Sequence, residues 1–178
     1  MKKSLLAITI AAAPVLAFAS GNTINFQGEV TDQTCDVTIN GNSANPTVLL
    51  PTVSSMSLAT AGSTAGLTTF TVGLSNCQAP TTTAQAVGTV FVGNQVTSAG
   101  NIGNTGTATN VALQLLDPAS PSSSFNLSNA AGVTVPGLSI ATGATSASHD
   151  FAVQYISEQG GAAAGSVLGS VQYAVTYQ

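Results

Sequence analysis

The chain has 178 residues, 44% of them hydrophobic and only 4% charged, with two Lys or Arg against six Asp or Glu. Both cations are Lys2 and Lys3, so the chain beyond them contains no Lys or Arg at all. Nucleic-acid binding and the clamping of phosphoryl groups both rest on Lys and Arg and are excluded, as is intrinsic disorder, which goes with high charge and few apolar residues.

Residues 1–19 read MKKSLLAITIAAAPVLAFA. Lys2 and Lys3 make a positive n-region, Leu5 to Leu16 an apolar h-region and Ala17-Phe18-Ala19 a cleavage site, which predicts a signal peptide and export. The apolar run falls well short of the ~20 residues that span a bilayer, and Pro14 interrupts it. Residues 20–34 follow as a separate extension containing GNTINFQGEV. There Ile24, Phe26, Gly28 and Val30 share one face, and Asn25, Gln27 and Glu29 share the other, a strand pattern lying before the first cysteine.

The body is predicted over 35–178. Cys35, Val37 and Ile39 alternate into Asn40-Gly41, a strong turn signal. Thr47 to Leu50 is a short edge-strand candidate between Pro46 and Pro51. Phe70, Val72 and Leu74 alternate before Cys77, and Val90 and Val92 oppose Phe91. Val111, Leu113 and Leu115 alternate, as do Phe151, Val153 and Tyr155. The last run carries Val167, Val171, Tyr173, Val175 and Tyr177 on one face. Turn-rich connectors such as 98–109 and 160–165 separate these runs. In an exported chain Cys35 and Cys77 read as one disulfide, since a metal pair would need further ligands that a single His does not supply.

Short alternating strands with turn-rich connectors and one inter-strand disulfide predict an all-β, immunoglobulin-like sandwich. The most apolar strand is the last, so the sandwich is expected to be incomplete, lacking its final strand. The segment 20–34 is the complementary object, with a tether that favours insertion into a neighbour over folding back.

At this point the residues resemble a family, the major pilins of bacterial chaperone–usher fimbriae of the type 1 and F17-like group. The likeness rests on the Cys in VTDQTCDVTI, the Cys after FTVGLSNC, the runs NVALQLLD and FAVQYIS, and a terminal signature of Gly165, alternating apolar residues and penultimate Tyr177. It implies a structural subunit that polymerises head to tail by donor-strand exchange with identical or related pilins, building an adhesive filament. Ile24, Phe26, Gly28 and Val30 would form the donor strand, and Gly165, Val167, Gly169, Val171, Tyr173, Val175 and Tyr177 the acceptor groove. A periplasmic chaperone, an outer-membrane usher and a cell-surface fimbrium follow from the same resemblance. The alternative is a minor pilin or a carbohydrate-binding adhesin subunit of such a system.

No enzyme, cofactor or metal is expected. His149-Asp150 is adjacent on a strand, which sends the two side chains to opposite faces, and an exposed pair at a strand start is the expectation. The six acids are scattered singly rather than clustered as calcium requires. Asn126-Leu127-Ser128 reads as a chance sequon, and Tyr155, Tyr173 and Tyr177 as core and groove residues rather than sugar platforms.

Overall fold

In the computed structural model, residues 35–43 and 46–178 are described. The expected leader over 1–19 and the expected extension over 20–34, with Ile24, Phe26, Gly28 and Val30, lie outside them. Among the described residues eight strands follow one another: β1 (Asp36–Ile39), β2 (Ser63–Ser75), β3 (Gln85–Gly93), β4 (Ile102–Gly103), β5 (Ala112–Leu116), β6 (Val133–Ile140), β7 (Ala147–Ser157) and β8 (Val171–Tyr177). They form two antiparallel sheets, ordered β1-β2-β7-β5-β4 and β6-β3-β8.

Period-two patterning decides which side chains meet between the sheets. Phe70, Val72 and Leu74 of β2, Leu113 and Leu115 of β5, and Phe151 and Val153 of β7 turn inward from the larger sheet. Val87 and Phe91 of β3, with Val135, Leu138 and Ile140 of β6, answer them from the smaller one. Phe151 is the hub. Its ring meets Phe91 edge-on at 5.0 Å and Phe70 at 5.9 Å, arrangements that suit the aromatic quadrupole.

The expected turn at Asn40-Gly41 is present, with φ of 50° and 79°. Ile39 and Asn42 exchange both backbone bonds at 2.9 Å. Cys35 and Cys77 are disulfide-bonded across the paired β1 and β2, with Cα atoms 4.3 Å apart.

One expectation about the strands needs correction, and one strand goes unmarked in the sequence. Thr47 to Leu50 belongs to no strand, because its backbone has no ladder partner among the described residues. Conversely, β6 carries no clean alternation because Pro136-Gly137 interrupts it. Pairing steps from Val87↔Leu138 to Thr89↔Val135, so the Pro and Gly bulge out opposite Gly88.

A candidate groove between two edges

The last run does not behave as one strand. Its first half, 165–170, lies against the loop 104–108 that follows β4, at the outer edge of the larger sheet. Ala108 N–H donates to the Ser166 carbonyl at 2.9 Å and Thr105 N–H to the Leu168 carbonyl at 2.8 Å. Its second half is β8, paired with β3 at the edge of the smaller sheet, with Tyr177 opposite Val87 and Val171 opposite Gly93. The run thus crosses from one sheet to the other.

Two glycines permit the crossing. A β-carbon on Gly165 would overlap the backbone of Thr107 and Ala108, at 2.6 Å from the Ala108 Cα. One on Gly169 would press on Ile102 Cγ2 at 2.8 Å and Leu113 Cδ1 at 2.9 Å. Gly169 therefore lets the run settle directly on the core face of the larger sheet.

Opposite this run stands the segment 46–53. Pro46, Val48, Leu50 and Val53 are half-buried, whereas Thr47 and Leu49 are exposed, Leu49 to 83%. None of residues 46–53 makes a hydrogen bond among the described residues. Between the two walls runs a groove in two bays. The smaller, about 400 Å³, has Val53 and Leu58 on one side, Gly165 and Val167 on the other, and Tyr155 and Val111 beneath. The larger, about 650 Å³, has Pro46, Val48 and Leu50 facing Gly169, Val171 and Tyr173 over Leu113, Leu115 and Val153. Val175 and Tyr177 line neither bay; they are half-buried against the core further along β8.

Of the residues expected to line the groove, Gly165, Val167, Gly169, Val171 and Tyr173 therefore do so, whereas Val175 and Tyr177 pack against the core outside it. The wall formed by Pro46, Val48 and Leu50 was missed as part of the site. Its signal was present in the alternation between two prolines, which reads equally well as an ordinary edge strand.

His149 and Asp150 do face opposite ways. Asp150 is exposed and accepts from Thr71 Oγ1 at 2.6 Å. His149 is half-buried, which corrects the expectation of an exposed pair: its ring meets Phe151 edge-on at 4.8 Å and closes over Gly137.

Two small antiparallel sheets around an aromatic core, with a half-covered groove between their edges, define an immunoglobulin-like β-sandwich. The fold matches the crystal structure of the P pilus rod subunit PapA, with a TM-score of 0.55 over 80% of this chain and 99% of that one at 16% identity. It also matches a chaperone–usher pilus structure, with a TM-score of 0.52 over 93% of this chain and 100% of that one at 16% identity. In sequence the chain is 38% identical to the F17 fimbrial protein of Escherichia coli over 179 residues, covering 98% of this chain and 97% of the relative. It is 41% identical over 107 residues to the major fimbrial subunit SMF-1 of Stenotrophomonas maltophilia, covering 60% of this chain and 63% of that protein. No protein-family model matches. The chain belongs to the family of the F17 fimbrial protein, the structural subunits that are exported and built into cell-surface fimbriae.

Proposed function

We propose that the groove is the acceptor for the 20–34 segment of a neighbouring copy, so that subunits join head to tail by strand insertion. The observation that carries this reading is the pair of facing edges, β8 and 46–53. Both present apolar side chains to a gap: β8 is the outermost strand of its sheet, and 46–53 makes no hydrogen bond among the described residues. Unpaired backbone beside half-buried apolar surface is costly to leave open, and one added strand satisfies both. Ile24, Phe26 and Val30 would supply the inward side chains and Gly28 a place where space is tight. Each large side chain so buried contributes ~1.5–3 kcal/mol.

A heterologous contact of this kind does not close and so extends as a filament. Until the neighbour arrives the groove needs another cover, the role we assign to a periplasmic chaperone, with an outer-membrane usher where the exchange takes place. Residues 1–19 act as the export leader, and no catalytic role is assigned to any residue. The test is a subunit lacking Ser20 to Val30 but retaining its leader. It should be recovered from the periplasm bound to its chaperone, yet form no filament by electron microscopy. Filaments built from this truncated subunit alone would refute the reading.

A further inference from the structure

We infer that Asn104 is a positioning residue for the groove, holding the wall 165–169 in place before a strand arrives; this rests on the groove being the acceptor site. Asn104 directly follows β4, and its side chain makes three bonds. Oδ1 accepts from Gly106 N–H at 2.7 Å and from Leu168 N–H at 2.9 Å, while Nδ2 donates to the Ala108 carbonyl at 2.8 Å. Two of the three shape the loop 104–108, and the third ties that loop to the groove wall.

The tie is reinforced on both sides. Thr105 Oγ1 donates to the Leu168 carbonyl at 3.2 Å, Ser166 N–H donates to Thr107 Oγ1 at 2.9 Å, and Thr107 N–H to Ser166 Oγ at 3.1 Å. Ser166 and Leu168 thus commit both backbone groups to the loop, leaving Val167 and Gly169 to line the two bays. Among the described residues this portion of the wall has no strand partner within a sheet. A loop shaped by one asparagine serves in place of one, and Gly106 and Gly165 let the two backbones approach. A wall ordered in advance spares the incoming strand the entropy of ordering it, which is how preorganisation raises affinity.

The experiment uses the full mature subunit and a fluorescent peptide spanning residues 20–34, at a temperature where near-ultraviolet circular dichroism shows each variant fully folded. Asn104→Leu, which removes all three bonds, should bind the peptide about tenfold more weakly than the parent. Asn104→Asp keeps both accepted bonds and loses the donated one, so it should recover part of that loss. Thr107→Val, which removes the bond from Ser166 N–H and leaves Asn104 intact, should weaken binding by a smaller factor and serves if Asn104→Leu does not fold. A residue that merely stabilises the subunit would lower the unfolding midpoint and leave the affinity of folded protein unchanged. Parental affinity in folded Asn104→Leu, or in Thr107→Val where the first variant is unfolded, overturns the assignment. A parent subunit that captures no peptide overturns the acceptor reading itself, and this inference with it.

Discussion

Gly165 lies so close to Ala108 that a β-carbon on it would stand 2.6 Å from the Ala108 Cα, inside any real contact distance. Gly165 is not in the left-handed region, so space alone demands a glycine here. The obstacle is backbone, which cannot rotate away as a side chain would. Gly165→Ala should therefore push the wall off the 104–108 loop and destabilise the subunit by ~1–3 kcal/mol, the usual cost of overpacking. Urea denaturation should show the lowered midpoint, and filament yield should fall with it. A midpoint equal to the parent's would mean that the approach is looser than described.

Thr89 invites the opposite outcome. It is buried at the centre of β3, 1% exposed, and its Oγ1 has no hydrogen-bond partner among the described residues. An unpaired buried hydroxyl costs more than it returns, and valine has nearly its shape. Thr89→Val should stabilise the subunit by about 1 kcal/mol. The check is an upward shift of the urea midpoint with an unchanged slope.

Val171 opens β8 and lines the larger bay across from Pro46, Val48 and Leu50. Val171→Asp would place an unpaired carboxylate where a strand must pack, at a cost of several kcal/mol once buried. Cells producing this variant should carry no fimbriae by electron microscopy. Normal fimbriation would remove this position from the acceptor groove.

The Cys35–Cys77 bond closes a sequence separation of 42 residues and ties the ends of β1 and β2. Replacing both cysteines with serine should cost ~2–5 kcal/mol, comparable with the whole stability of a small domain. Periplasmic recovery of the subunit should drop sharply, and mass spectrometry of the parent should find no free thiol.

Cohesion between copies should be insensitive to salt. Lys2 and Lys3 are the chain's only Lys or Arg residues, so a homopolymer of residues 20–178 has none to pair with its carboxylates. Apolar burial and backbone ladders are not screened as ion pairs are. Filaments at neutral pH should keep their length in molar sodium chloride, as read by sedimentation; dissolution there would contradict it.

Much of the fold was legible because alternation is a local property. Phe70, Val72 and Leu74, or Phe151 and Val153, announce an inward face whatever they end up facing. The turn at Asn40-Gly41 was legible because φ above zero is a demand on two adjacent residues alone. β6 was not, since Pro136-Gly137 breaks the pattern, and only its neighbour β3 shows that the break is a bulge. Likewise Thr47 to Leu50 looked like a strand, but a strand exists only by its partner.

By itself, the sequence determined an all-β exported chain with one disulfide, no Lys or Arg beyond Lys3, and an apolar face on its last run. These follow from composition, spacing and period, which need no knowledge of neighbours in space. Only the tertiary structure decided that the last run crosses from one sheet to the other at Gly169, and that Pro46, Val48 and Leu50 form the facing wall. It alone brought Asn104 to the amide of Leu168, 64 residues away. Such relationships depend on which backbones come within hydrogen-bonding distance after the sheets pack. No local pattern encodes that distance.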